Sequence, residues 1–573
     1  MTIIHATHEA VQKVGGIGSV LEGLLTAKAY QKAVQRSILV GPLTHPNDAV
    51  LLAREGEVIF SSFDGTGEGR VANLLRAVEI EHNVNLVYGK RRLGRGAEAE
   101  VLLVDAADVN PRKIRNFKYN LYQHYGLSSD RYEDIDDYSL YVHCAEAAYD
   151  AIIALLGRSK GPHVVLGHEY MGMPLLLKTL MVNDLRFRAI FYAHEVTTMR
   201  SIVENAPGHD TMFYNTLWTS LEQGRDVTDA FGDQSNYYRH ALVEKAHYCD
   251  GIFAVGDPVV DELRFLGPSF RDYPIDLVYN GLPAVDIGQD ERLAAWERMR
   301  AYSLQLLGHE PDVVITHITR PVVSKGLWRD LRVLEHVDNL MAAQNRTGVF
   351  YVLTSAYGKR SAQDIGEMEQ AYGWPVSHRL GAPDLVGPEA DIWAEMEAFN
   401  GKAKAIRAIL VNQFGWDRES CGQRMSEDMT FMDLRKGTDL EFGQSIYEPF
   451  GIAVLEPLSF GAICVPSSVC GCCGFLKRVT KGHETRNVVI SDYTSLDGWG
   501  EFADTRSIGL AERNHLEATR GESLAWEIMD RLPNSESDRL ALLQDGYALA
   551  TQMSWEAVCK DYFLPGIHRA IDR

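Results

Sequence analysis

Short apolar runs alternate with amphipathic stretches along nearly the whole chain, and few folds accept that pattern. TIIHAT, RSILVGP, HVVLGH, RAIFYAH, DGIFAVG and DLVYNG read as strands, with another near Glu100–Ala106. Between them lie stretches with apolar residues three or four apart, such as SLYVHCAEAAYDAIIALL. This is the signature of parallel α/β layers. After NGLPAV, the polar helical stretch IGQDERLAAWERMRAYSLQLLG leads into a second series: DVVITHITR, GVFYVLTS, AIRAILVN, GIAVLEPL and AICVPS. At 573 residues the chain exceeds what one core organises. Two large α/β domains are expected, over residues 1–285 and 286–545, followed by a terminal segment, 546–573. Residues 357–443 are long and polar for a single connection and are expected to form an insertion with its own helices.

Charge and cysteine usage narrow the function classes. A net charge of −21 opposes a nucleic-acid partner, which requires a basic face. MTIIHATHEA lacks the basic start and apolar core of a secretory signal, and no apolar run approaches about 20 residues. A cytoplasmic protein without a membrane partner is expected. Eight cysteines in so long a chain do not form a disulfide scaffold. Four of them, Cys464, Cys470, Cys472 and Cys473, lie in CVPSSVCGCCGF without paired metal-ligand spacing. Small side chains lining a tight loop account for them better than a metal does.

Several constellations can carry chemistry. Lys13-Val14-Gly15-Gly16 falls at a strand-to-helix turn. Glycines let backbone approach a ligand, and helix N-termini favour phosphate oxygens, although a purely structural turn fits the same residues. The strand ends His168-Glu169 and His194-Glu195 can orient sugar hydroxyls outside the carboxyl edge of a sheet, or simply cap helices. Arg320 and Lys325, in RPVVSKG, can neutralise a pyrophosphate. In YEPFGIAVLEPLSFG, Glu448 and Glu456 flank an apolar run read as a buried helix starting near Pro449 and Gly451. Eight steps of 100° place the two carboxylates about 80° apart on one face. They need polar partners there, either ligand hydroxyls or salt bridges.

In their order, these motifs resemble the glycogen and starch synthases among the retaining GT-B glycosyltransferases. The strings that carry the resemblance are HEAVQKVGGIGSVL, GHEYMGMPLLLK, AIFYAHEVTTMR, KAHYCDGIFAVGDPVVDEL, VYNGLP, RPVVSKG, DLEFGQSIYEPFGIAVLEPLSFGA and SWEAVCKDYFLPGI. The resemblance implies an α/β fold of two Rossmann-like domains facing across a cleft, the last helix crossing back to the first. It implies that Arg320 and Lys325 contact donor phosphates and that Lys13, Gly15 and Gly16 form the N-terminal loop at the donor–acceptor junction. Glu448, beside Gly451, matches the glutamate near the transferred sugar, and Glu456 the one near the donor ribose. His194 matches the histidine that contacts the sugar, and His168-Glu169 the acidic cleft motif, with Tyr170 where the family usually has Trp. The family's Gly-Gly phosphate loop is represented only loosely, by Val469–Gly474.

The expected reaction is transfer of glucose from UDP- or ADP-glucose to the non-reducing end of an α-1,4-glucan, with retention and without a cofactor or metal. A front-face substitution is expected, with the leaving diphosphate held by Arg320, Lys325 and the Gly15–Gly16 amides. A homo-oligomer is left open. Two other readings are a retaining transferase with a small acceptor and a non-catalytic glucan-binding protein. A dinucleotide oxidoreductase lacks its glycine fingerprint.

Overall fold

The computed structural model describes residues 1–45, 47–498 and 504–573. The chain divides into two compact units. The first comprises Met1–Met199, Leu217–Gly281 and Trp555–Arg573; the second comprises Arg200–Thr216 and Leu282–Ser554.

The first unit is built on nine strands: β1 (Thr2–Ala6), β2 (Arg36–Pro42), β3 (Gly56–Ser61), β4 (Asn85–Arg92), β5 (Glu98–Asp105), β6 (His163–His168), β7 (Phe187–Ala193), β8 (Gly251–Ala254) and β9 (Ile275–Leu277). Their order in the sheet is β3-β4-β5-β2-β1-β6-β7-β8-β9. From β5 to β9 every pairing is parallel, whereas β3 and β4 run antiparallel to their neighbours. The antiparallel edge was not expected. It follows from chain economy, because the short loop joining β4 to β5 permits a hairpin, whereas parallel neighbours need a long crossover. β1 and β6 are buried at every position, as strands covered on both faces must be.

Asp136–Leu156 is 21 residues long and apolar enough, by length and composition alone, to cross a membrane. Over half of its most apolar window is buried within the protein. Its apolarity comes from packing on the sheet and on helix Glu169–Val182. Of the terminal segment expected over 546–573, Trp555–Arg573 belongs to this unit, whereas 546–554 belongs to the second, because helix Glu536–Gln552 runs across the expected boundary. A Cβ on Gly23 would fall 2.1 Å from the Trp555 indole, and one on Gly281 would fall 2.5 Å from its backbone, so both glycines are required for close docking.

The second unit has a wholly parallel sheet of β10 (Val313–Ile318), β11 (Gly348–Leu353), β12 (Ile406–Val411), β13 (Leu440–Gly443) and β14 (Ile463–Pro466), in the order β12-β11-β10-β13-β14. Alternation along β10 feeds two cores. Val313 and Ile315 pack with Phe350 and Val352 on one face, while Val314 packs with Val349 and Tyr351 on the other. Residues 357–443, expected as an insertion, do contain helices such as Ala362–Tyr372 and Pro388–Asn400. They also supply β12 and β13, so the stretch is part of the central sheet. DLEFG was missed as a strand because Glu441 interrupts its apolar run. That carboxylate is fully buried and accepts a hydrogen bond from Thr316 and an ion pair from Arg435.

Candidate active site

In open parallel sheets, ligands bind at the carboxyl ends of strands where the strand order reverses. In the first unit the chain moves outward from β1 to β2 and later resumes on the other side of β1 at β6, so the reversal lies at β1/β6. In the second it lies at β10/β13. The loops leaving these four strands carry most of the residues singled out from the sequence.

After β1 comes the glycine loop. Its Lys13, Gly15 and Gly16 are exposed, and helix Gly16–Thr26 begins there. The loop is held from inside by Glu9, a buried residue with no part in the sequence reading. The N–H groups of Val14 and Gly15 each donate to Glu9 Oε2 at 2.6 Å. One of the amides expected to face a diphosphate is therefore bound to a carboxylate. The N–H groups of the helix's first turn remain as orphan donors. Lys13 lies 3.5 Å from Glu22, an exposed and weak pair. A Cβ on Gly18 would fall 2.4 Å from Glu9 Oε2 and 2.8 Å from Lys13 Cα. Gly18→Ala is therefore expected to dislodge Glu9 and speed hydrogen exchange at Val14 and Gly15. The loss of a charge-assisted bond, about 1.5–3 kcal/mol, corresponds to roughly ten- to a hundredfold. Unchanged exchange would show that Glu9 does not hold the loop.

After β6, His168 is fully buried at the start of helix Glu169–Val182, with no side-chain cap bond. Glu169 adopts φ +61°, uncommon for a residue with a side chain, and is itself buried. Its Oε1 accepts the backbone N–H groups of His194 and, at 2.7 Å, Glu195, while Oε2 has no partner. Burial, and secondarily the charge of Glu195, push its carboxyl well above the usual range. Glu169 thus clamps the turn after β7. His194 stands in that turn, half-buried, its Nε2 2.8 Å from His168 Nδ1 and the two rings nearly parallel. Burial lowers its pKa to about 3. Tyr170, in place of the family's Trp, donates to Asp137 at 2.7 Å and lies beneath Arg239, whose guanidinium carbon is 4.6 Å from the ring centre.

In the second unit, the loops after β10 and β13 are joined by their own backbones. Ile446 N–H donates to Ser324 C=O at 2.9 Å. Gly326, at φ +62°, brings the β10 loop so close to Gln444 that a Cβ would fall 2.4 Å from its carbonyl. This juxtaposition brings Lys325 onto Glu448 in a hydrogen-bonded ion pair, with the two side chains 17% and 19% exposed. Arg320 is exposed and makes no ion pair or side-chain hydrogen bond among the described residues.

The expected long helix from Pro449 to Glu456 is absent. Ile452–Leu455 forms one short α-turn and Glu456–Phe460 a 3₁₀ turn. Gly451, at φ +89°, precedes them. Glu448 and Pro449 lie outside the helix, because Glu448 forms a β-bridge with Cys470 and its carbonyl accepts Gly471 N–H at 3.1 Å. The two glutamates consequently do not share a helix face. Glu456 pairs with buried Arg435 at 3.1 Å, and Arg435 also binds Glu441 at 3.2 Å. Both glutamates thus have salt-bridge partners, one of the two alternatives that residue chemistry allowed.

The four clustered cysteines are free thiols, but they do not all line one loop as expected: Cys464 lies in β14, Cys470 on the loop after it, and Cys472 and Cys473 open helix Cys472–Val479. Cys470 donates weakly to the Gly443 carbonyl and Cys473 to that of Ser467. Glu9, Asp137, Arg239, Arg435 and Glu441 were missed. The available signal was a charged residue inside an apolar run, as in DLEFG, which demands a buried partner.

No protein-family profile matches the sequence, and no curated protein matches it. The structure is nonetheless similar to solved structures along its whole length. Against the catalytic domain of starch synthase IV from Arabidopsis thaliana bound to ADP and acarbose, the TM-score is 0.51 at 15% identity, covering 100% of this chain and 99% of that one. Against a trehalose-6-phosphate protein from E. coli bound with UDP-2-fluoro glucose, it is 0.50 at 11% identity, covering 100% and 99%. Two doubly wound α/β units and this full-length likeness to GT-B glycosyltransferases establish that the chain has the GT-B fold.

Proposed function

We propose that this protein is a retaining glycosyltransferase that moves glucose from UDP- or ADP-glucose to the non-reducing end of an α-1,4-glucan. The observation that carries the reading is the meeting of Lys325 and Glu448 on the loops of the β10/β13 reversal, with exposed Arg320 on the same loop as Lys325. Two cations on one loop suit a diphosphate, and Glu448, from the adjoining loop, holds the lysine ammonium in one direction. In this reading Lys325 and Arg320 neutralise the leaving diphosphate, and Glu456 receives a ribose hydroxyl. In the first unit, Lys13 and the first-turn amides beyond Gly15 meet phosphate, and His194 meets the sugar. The acceptor hydroxyl attacks from the face the diphosphate leaves, and a phosphate oxygen takes its proton. No carboxylate of the first unit is assigned as a nucleophile: Glu169 is buried and bonded to backbone.

A small sugar-phosphate acceptor is the second reading, supported by a likeness to the trehalose-6-phosphate protein whose TM-score, 0.50, is close to the 0.51 of the starch synthase. The test is nucleoside diphosphate release from UDP-glucose and from ADP-glucose, each alone, with maltooligosaccharide and with glucose 6-phosphate. Release that requires maltooligosaccharide is the expected result. Release only with the sugar phosphate selects the second reading, and none with either donor overturns the transferase.

A further inference from the structure

A file of side chains crosses the middle of the first unit's sheet, from β2 through β1 and β6 to the turn after β7. Ser37 Oγ lies 2.9 Å from Tyr30 Oη, which lies 3.0 Å from His5 Nε2. His5 Nδ1 is 3.0 Å from His168 Nε2, and His168 Nδ1 is 2.8 Å from His194 Nε2. Tyr30, His5 and His168 are buried. His194 Nδ1, at the outer end, has no partner among the described residues and is not sealed from solvent.

Each nitrogen–nitrogen contact needs one N–H and one lone pair, so a ring protonated at both nitrogens in the middle of the file would set N–H against N–H. Burial acts in the same direction: it lowers His5 to about 3 and His168 well below its ordinary value. A neutral imidazole has one donor and one acceptor, so once the direction of one link is set, all the others follow. Tyr30 sets it. A phenol is a stronger donor than a serine hydroxyl, and an imidazole nitrogen a stronger acceptor than a hydroxyl oxygen. The favoured pairing has Tyr30 O–H donating to His5 Nε2, with Ser37 donating to the phenol oxygen. His5 then carries its proton on Nδ1, His168 on Nδ1, and His194 on Nδ1.

We propose that Tyr30, through His5 and His168, fixes the tautomer of His194, so that His194 presents Nδ1–H as a hydrogen-bond donor to a sugar oxygen. The sugar rests on the transferase reading; the tautomer does not. Tyr30, His5 and His168 are positioning residues, because none of them needs to touch the ligand.

The test is long-range proton–nitrogen NMR on the full-length protein labelled with ¹⁵N-histidine, with His194 assigned by loss of its signals in His194→Gln. The wild type is expected to show His194 protonated on Nδ1 alone. Tyr30→Phe keeps the ring but removes the O–H, and should convert His194 to a mixture of tautomers, while Ser37→Ala should leave it on Nδ1. A wild-type His194 protonated on Nε2 would overturn the proposal by itself, whether or not any variant folds. So would a folded Tyr30→Phe whose His194 is unchanged. Where the protein transfers glucose, Tyr30→Phe should lower kcat/KM by roughly tenfold, the worth of one hydrogen bond. An inactive wild type with the expected tautomer would overturn the transferase reading alone.

Discussion

Glu448→Gln will lower turnover of the nucleotide sugar by about a hundred- to a thousandfold and leave the fold intact. Its carboxylate is paired with Lys325 where neither side chain is freely solvated, so the ammonium is held in one direction by a charge. Glutamine keeps the shape but releases the lysine, and mis-aimed preorganised charges typically cost this much in rate. The fold should survive because Glu448 is anchored through its backbone, by the bridge to Cys470 and the bond to Gly471. Lys325→Met should act similarly, and the double variant should be little worse than either single one, since the pair works as a unit. Steady-state nucleoside diphosphate release checks this, with circular dichroism as the control. Wild-type turnover in Glu448→Gln would make the pair a structural salt bridge.

Arg329→Met will destabilise the second unit by about 3–5 kcal/mol, the usual cost of removing one partner from a buried ionic cluster. The Arg329 side chain is fully buried. It donates to Asp210 Oδ1 and Oδ2 at 2.6 and 2.9 Å and to Glu517 Oε1 at 2.8 Å. Without the guanidinium, Asp210 keeps none of that compensation, while Glu517 retains Arg332, the more distant Arg513 and the Trp328 indole N–H. Burial already pushes the Asp210 carboxyl up even with Arg329 present. The midpoint of urea unfolding followed by Trp328, which hydrogen-bonds Glu517, reports on this cluster. Converting Asp210 to Asn in the Arg329→Met background should recover part of the loss. A midpoint equal to the wild type's would show that the cluster contributes no net stability. The same cluster explains why Arg200–Thr216 belongs to the second unit although the chain on both sides of it belongs to the first.

Much of this architecture was legible from local pattern. The central strands were readable because parallel strands covered on both faces must be continuously apolar, and the helices because their buried faces recur every three or four residues. The glycine loop, RPVVSKG and YEPFG stood out because glycines, cations and carboxylates at strand ends can meet a ligand, although structural turns and salt bridges use the same residues. What pattern did not supply was pairing. β3 and β4 form the antiparallel end of the sheet, whose direction depends on the β4–β5 hairpin, and β13 was hidden by Glu441, whose burial depends on nearby Arg435 and on Thr316, remote from DLEFG in sequence.

The site divides along the same line. Sequence alone determined which residues carry charge, which can titrate, and where glycine permits close approach, because these are properties of single residues and their immediate neighbours. Only the tertiary structure decided their partners. Glu448 leaves the expected helix to meet Lys325, Glu456 pairs with Arg435, Glu9 takes the amide expected to face phosphate, and Glu169 holds the turn that bears His194. Except for Glu9, which shares its loop with Gly15, each partner comes from another element of the fold. A buried polar group must be satisfied by whatever the sheet order brings beside it, and sheet order is a non-local property of the chain.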